Sequence, residues 1–230
     1  MLEISRVSKS IGNHEILKDI TFTARDGSIF GLIGPNGAGK TTLIKMIVGI
    51  WRHDDGFIKF DGSHIFDCSR VKEIIGYVPD GSHYYESFKL NEIIKFYQLA
   101  YKNFNRKKLE ELNSIFQLPL SKKVSALSKG MRTKLSLMLG LSIKPKLLVM
   151  DEPTSGLDPI AKSELIDILL DEASQNGTTI LMSTHNLSDV EKICDNIAVI
   201  DKGRIKYTGT VDDMKKNARK IQAVFPSGMP

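Results

Sequence analysis

The sequence predicts an α/β fold in which a mostly parallel core sheet is joined to an N-terminal antiparallel β-subdomain and interrupted by a helical insertion. Three patterns carry this expectation. The first 60 residues hold short alternating segments between Gly, Asn and Asp turns, the mark of half-exposed antiparallel strands. Other runs are continuously apolar, as strands buried on both faces are. Between two of those runs the apolar spacing changes to a helical period, which places the helices inside the α/β core rather than after it.

In chain order, "LEISRVS", "ITFTAR" and "GFIKFDG" read as the antiparallel strands. "SIFGLIG" (28–34) is apolar throughout and runs into a glycine-rich loop, so it reads as a buried parallel strand. "GYVPDGSHYY" (76–85) ends an apolar stretch at Val78-Pro79. Its Pro-Asp-Gly suits a turn, because Asp80 can bond its own backbone and Gly81 tolerates positive φ. From about Glu86 to Ile143 the pattern is helical: Leu90, Ile93, Ile94, Tyr97 and Tyr101 share one face, Leu109, Leu112 and Phe116 share another, and Pro119 ends the second helix. "KLLVMD" (146–151) and "TTILMSTH" (178–185) return to the buried-strand pattern. The helix between them runs from about Pro159 to Asn176, with Asp158 as N-cap, Pro159 at N1 and Asn176-Gly177 as stop. A short helix over about 187–195 leads into the strand-like "NIAVIDKGRIKYTG", and "LSKG" (127–130) places Ser128 to cap a helix that Gly130 begins. The expected organisation is a single domain over 1–230: a core lobe over about 1–85 and 144–220, a helical lobe over about 86–143, and a loosely held tail over 221–230.

Composition narrows the function classes. With 41% hydrophobic and 26% charged residues in 230 positions, the chain can bury a substantial core. Its 32 basic and 27 acidic residues leave +5, gathered partly in "NRKK" (105–108) and "MKKNARK" (214–220). Such runs suit solvated helix faces, and also an anionic membrane surface or nucleic acid. Cys68 and Cys194 lie far apart without CxxC spacing, so neither a disulfide framework nor a zinc site is suggested, and a reducing, cytosolic setting fits. Glu3, Arg6 and Lys9 interrupt any signal-like apolar core, and no run approaches the ~18 apolar residues of a membrane span. Any membrane role is expected to be peripheral.

The chemistry concentrates in "GPNGAGKTT", Gly34 to Thr42, which matches G-x-x-x-x-G-K-[ST] between an apolar strand and a helix-compatible run. In such a loop Gly34, Pro35, Asn36, Gly37, Ala38 and Gly39 curl the backbone so that N–H groups converge on phosphate oxygens, and the new helix adds the positive end of its dipole. Lys40 then reaches the β- and γ-phosphates, Thr41 offers its hydroxyl to Mg²⁺, and Thr42 completes the cradle. The expected core is therefore that of a P-loop NTPase. A P-loop needs an acidic partner at the end of a neighbouring strand, and "LLVMDEP" supplies Asp151 for the metal and Glu152 to polarise an attacking water. "LSKG", "SGLD" (155–158) and "STH", which ends in His185, each have a plain reading as cap, turn and strand end. Their order and spacing around the acidic pair make coincidence a poor account.

From about residue 2 to 210 the chain resembles the ATP-binding subunits of ABC transporters. "GPNGAGKTT" looks like their Walker A, "LSKGM" their signature motif, "LLVMDEP" their Walker B with catalytic glutamate, "SGLD" their D-loop, and His185 their switch histidine. "GYVPD" falls where that family has its Q-loop. The resemblance implies the ABC ATPase fold, with ATP and Mg²⁺ as cofactors. It also implies a dimer in which ATP on Walker A of one subunit is covered by Ser128 and Gly130 of the other. Glu152 would activate water, His185 would contact the γ-phosphate, Asp158 would link the two sites, and Lys40 would stabilise the transferred phosphoryl group. The implied partners are a membrane-spanning permease subunit and a second ATPase subunit in a homodimer or heterodimer, with no nucleic acid expected. The implied place is cytoplasmic, peripheral on the inner face of the cell membrane. A non-transport or regulatory ABC ATPase is the alternative.

Three positions depart from the family pattern. Ile11 stands where an aromatic usually stacks on adenine; an aliphatic side chain can cover one ring face but gives up much of the stacking contribution, about 0.5–1.5 kcal/mol. Asp80 stands where glutamine usually reaches Mg²⁺ and the attacking water, and two readings stay open: a turn-former or a metal ligand. Placing Asp80, Asp151 and Glu152 near one cation is expected to raise the proton affinity of at least one. Lys129 replaces the signature's second-position glycine and could serve phosphate or point to solvent. Tyr84, Tyr85 and Phe88 could receive a short helix from the permease or simply anchor the insertion.

Overall fold

The computed structural model describes residues 1–81 and 84–217. The tail expected over 221–230 and the last basic residues of "MKKNARK" lie outside the described residues.

Two sheets form. The antiparallel one contains β1 (Leu2–Ile11), β2 (His14–Ala24), β4 (Asp55–Phe60) and β5 (Ser63–His64) in the order β2-β1-β4-β5. Alternation turns Leu2 and Ile4 inward, and irregularities at Arg6 (φ +49°) and Asp19 (φ +52°) bring Val7, and Leu17 together with Ile20, to the buried face. The second sheet has β3 (Ile29–Ile33), β6 (Ile75–Val78), β7 (Leu147–Asp151), β8 (Thr179–Thr184), β9 (Asn196–Asp201) and β10 (Arg204–Thr210) in the order β10-β9-β3-β8-β7-β6. All neighbours in it pair in parallel except β10, which returns antiparallel along β9. Every residue of β3, β7 and β8 is buried, which is why these strands read as unbroken apolar runs.

Helices cover both faces. Helix α1 (Lys40–Ile47) follows β3 and packs in the core shared with the antiparallel sheet, and the short α2 (Ser69–Lys72) precedes β6. The insertion supplies α3 (Leu90–Ala100), α4 (Arg106–Phe116), a 3₁₀ turn at Val124–Ala126 and α5 (Lys129–Ser142). The buried residues of α3 and α4, Leu90, Ile93, Ile94, Leu109, Leu112 and Phe116, were all selected by the helical period, while Tyr97 and Tyr101 on the same expected face are half-buried. Helices α6 (Pro159–Asn176), α7 (Leu187–Ile193) and α8 (Val211–Asn217) complete the chain. Helix α5 begins at Lys129, one residue ahead of the expected start, and α7 stops at Ile193 because Cys194 is already extended.

The insertion is fastened to the core in two ways. Along α5, Leu135 to Ser142 are all buried, and the helix lies on β6 backbone to backbone. A Cβ on Gly76 would stand 2.8 Å from the Gly140 carbonyl oxygen, so Gly76 has no room for a side chain. Beside the C-terminal end of α5, Lys108 of α4 reaches 2.9 Å to Glu172 of α6, whose carboxylate is buried and also accepts the Thr178 hydroxyl at 3.2 Å. Glu172 is satisfied only while α4 stays in place, since a buried charge without its partner is costly.

Candidate active site

The carboxyl ends of four adjacent strands, β3, β8, β7 and β6, open on one crevice, where ligands of open α/β sheets collect. Beyond β3, the Gly34 N–H donates to the Thr184 carbonyl at 3.3 Å. A Cβ on Gly34 would lie 2.3 Å from the Ile200 carbonyl oxygen, so only glycine lets the loop turn here. Gly39 has φ +103° and leads into α1, which has no side-chain cap and no acidic residue in its first turn. Its terminal N–H groups and dipole are thus available to an anion. They face a cavity of about 200 Å³ lined by Ile16, Asn36, Gly37, Gly39, Lys40, Thr41, Thr42, Asp80 and Glu152. Lys40 is only 6% exposed. It donates to the Gly34 carbonyl at 2.7 Å and the Pro35 carbonyl at 3.2 Å, and its Nζ lies 3.2 Å from Glu152 Oε1.

The acidic pair at the end of β7 is held by a residue that the sequence reading passed over. Asp151 sits opposite Ser183 in the β7–β8 register. The buried Ser183 hydroxyl donates to Asp151 Oδ1 at 2.6 Å and accepts the Glu152 N–H at 3.0 Å. Glu152 adopts a left-handed backbone, φ +49°, an uncommon state for a residue with a side chain. That conformation turns its carboxylate between Lys40 and His185, with Oε2 2.9 Å from His185 Nδ1. A proton acceptor, an ammonium and an imidazole therefore meet at the mouth of the phosphate cavity.

Ser128 and Asp158 do what their positions predicted as caps. Ser128 Oγ accepts the Met131 N–H at 3.2 Å at the start of α5. Asp158 Oδ1 accepts the N–H groups of Ala161 at 2.9 Å and Ile160 at 3.0 Å, with Pro159 at N1 of α6. Gly130 packs near Leu157; a Cβ there would come within 3.2 Å of Leu157 Cδ2. The stretch after the acidic pair is braced from behind, where Asp189 accepts the Thr154 hydroxyl at 2.8 Å and pairs with Lys162.

The Ala161 N–H bond, with the Ile160 bond helping, holds the Asp158 carboxyl below its ordinary pKa of 3.8. A depressed folded-state value means that the charged cap stabilises the fold above pH 3.8 and that this contribution is lost as the pH falls below it. Asp158→Asn keeps an acceptor oxygen but cannot titrate. In a thermal-melt series, the variant is expected to match the parent at neutral pH and to show a shallower decline of Tm below pH 3.8. Parallel slopes would count against the capping carboxylate as the titrating group.

The substituted positions fall in distinct places. Asp80 lines the phosphate cavity, but its Oδ1 lies 3.1 Å from Lys129 Nζ. Lys129 also donates to Ser155 Oγ at 3.1 Å, so its ammonium is engaged on two sides within the chain while the side chain stays half-exposed. Ile11 is at the end of β1, 46% exposed; the apolar residue in the lining of the phosphate cavity is Ile16. Tyr84 and its neighbours divide: Tyr84 lines a second cavity of about 300 Å³ with Ile50, Tyr77, Tyr97 and Tyr101, its hydroxyl 3.5 Å from that of Tyr97. Tyr85 and Phe88 turn outward and stack tilted on each other at 5.3 Å.

The donor set fits Mg²⁺. Thr41 and Asp151 offer a hydroxyl and a carboxylate, both hard oxygens. Among the described residues no three His, Cys, Asp or Glu side chains gather into a metal cluster. Mg²⁺ takes one or two protein oxygens beside substrate phosphates and keeps several waters. No helix of the described residues is long and apolar enough to cross a membrane.

Comparison with known proteins agrees with this geometry. The family model described as "ABC transporter" matches residues 17–155. The chain is 33% identical over 225 residues to the ABC transporter ATP-binding protein YtrB of Bacillus subtilis (strain 168), covering 98% of this chain and 77% of YtrB. The solved structure of an ATP-binding subunit of an ABC transporter superposes with a TM-score of 0.85 at 32% identity, covering 94% of this chain and 92% of that one. The dimeric ATP-binding cassette MJ0796, in a post-hydrolysis state bound to ADP and Pi, shares the fold with a TM-score of 0.83 at 19% identity, covering 92% of this chain and 99% of that one. With the phosphate loop, the acidic pair, the capped α5 and His185 all set around one crevice of this fold, the chain belongs to the ABC transporter family, as a nucleotide-binding ATPase domain.

Proposed function

We propose that the chain binds Mg²⁺-ATP, hydrolyses it as one of two ATPase subunits that close on each other, and thereby drives a separate membrane-spanning permease. The observation that carries the reading is Glu152, held between Lys40 and His185 at the mouth of the phosphate cavity. The backbone of residues 34–39 and the start of α1 cradle the phosphates, and Lys40 neutralises charge on the β- and γ-phosphoryl oxygens. Thr41 and Asp151 would hold Mg²⁺, which when bound adds divalent charge to the phosphate oxygens. Glu152 takes the proton of the attacking water as its oxygen bonds the γ-phosphorus and the bond to the ADP oxygen breaks. His185, joined to Glu152, steadies the base and contacts the γ-phosphate. Ile11 covers one face of the adenine, and Ser128, Gly130 and Asp158 belong to the face that meets the second subunit.

The dimer reading is supported by the dimeric structure of MJ0796, and the permease reading by the description of YtrB as an ABC transporter ATP-binding protein. The second subunit is either another copy or a related ATPase. The tyrosine-lined cavity between core and insertion, flanked by Tyr85 and Phe88 at 75% and 44% exposure, offers the permease a seat for a short helix. That role puts the chain on the inner face of the cell membrane. Two measurements test it together. Mg²⁺-dependent phosphate release should rise more steeply than linearly with protein concentration, and tagged chain recovered from membranes should bring a multispanning protein with it. Linear release and no membrane partner would favour the non-transport alternative.

A further inference from the structure

The first turn of α5 is electrostatically unusual. It has no acidic residue, and it carries Lys129 and Arg132 where the helix dipole is already positive. Carboxylates from outside the helix balance it: Asp80 lies 3.1 Å from Lys129, Glu86 is 3.4 Å from Arg132, and Glu164 is 3.3 Å from Lys134. Two of the three, Asp80 and Glu86, come from the segment between β6 and α3, so that segment is stapled to the helix at two points. Asp80 also lines the phosphate cavity beside Lys40, Thr41 and Glu152. Lys129 lies against the loop after the acidic pair, its Nζ on Ser155 and its Cδ 3.3 Å from where a Cβ on Gly156 would be. One ion pair thus joins the chain's own phosphate cavity to the helix end that carries Ser128.

We propose that Asp80 and Lys129 form a latch. Asp80 holds the Lys129 ammonium toward its own subunit's cavity, and closure on ATP requires Lys129 to exchange that carboxylate for the phosphates bound by the opposing subunit. The proposal rests on the dimer reading above. Lys129 is a positioning residue in the single chain and an anion ligand in the closed pair, and Asp80 acts on closure through it. Both side chains are half-exposed, so the latch is weak: breaking such a pair shifts an equilibrium roughly two- to fivefold. A latch of that strength biases closure without preventing it.

The test uses Asp80→Asn and Lys129→Gln with two readouts. In nucleotide-free protein, both variants should raise amide hydrogen exchange over residues 129–134 by roughly two- to fivefold. In a Glu152→Gln background, sedimentation should show opposite signs: Asp80→Asn needs less ATP for half-maximal dimer, because Lys129 is released, whereas Lys129→Gln needs more. Unchanged exchange in Asp80→Asn overturns the latch. A higher ATP requirement in Asp80→Asn also overturns it and makes Asp80 a ligand of the metal-nucleotide complex. If the Glu152→Gln parent stays monomeric with ATP while Asp80→Asn still raises exchange, the dimer reading falls and takes the closure half of the proposal with it.

Discussion

Glu152→Gln is expected to bind ATP as the parent does, to lose hydrolysis by about a thousandfold, within the range assigned to a positioned general base, and to accumulate as ATP-bound dimer. The backbone cost does not change, because Gln and Glu face the same left-handed conformation at φ +49°. Nor does Lys40 lose its remaining partners, since the Gly34 and Pro35 carbonyls still accept its protons. What goes is the one carboxylate that meets both Lys40 and His185. Single-turnover phosphate release together with sedimentation reads both effects. A rate within tenfold of the parent would mean that another group takes the proton.

Ser183→Ala is expected to cost both stability and rate. The hydroxyl is fully buried, donates to Asp151 and accepts the Glu152 N–H. Removing it strands a carboxylate oxygen and a backbone donor, a loss of about 1–3 kcal/mol. The same deletion frees the two carboxylates that the site needs fixed, and supporting residues of this kind are worth roughly 10- to 100-fold in activity. Chemical denaturation and steady-state kinetics at saturating ATP separate the two. Lower stability with unchanged kcat would make Ser183 a packing residue only.

The buried strands, the helical faces and the phosphate loop were legible because each depends on spacing within one segment. Leu90, Ile93 and Ile94 had to turn inward wherever α3 was placed, and "GPNGAGKTT" has few other ways to fold between a strand and a helix. Pairings across segments were not legible. Ser183 occupies a motif quoted for its histidine, and nothing within β8 tells that its hydroxyl stands opposite Asp151; that follows from the register with β7. The same holds for Asp80 and Lys129, two substitutions far apart in the chain that turn out to be ion-pair partners. Strand β5 and helix α2 were missed because they run to two and four residues, too short for periodicity to show, and α8 was missed because Val211 and Met214 are its only apolar residues, too few to show a period.

The glycine contact between α5 and β6 has a mechanical consequence. Side chains that interdigitate must change rotamer before two elements can move past each other, and close packing resists this. Where Gly76 meets the Gly140 carbonyl neither element contributes a side chain, and the nearest one is that of Leu148 on β7. The separation there is fixed by backbone atoms in contact, and the buried side chains on either side of it, Leu139 and Leu141 among them, hold the helix along its length. Helix α5 is 14 residues long, about 21 Å at the usual rise, so a few degrees of swivel about this point displace its Ser128 end by an ångström or more. A bulkier residue at Gly76 would press on the Gly140 carbonyl and lift the helix at this point, leaving both ends of the lever intact.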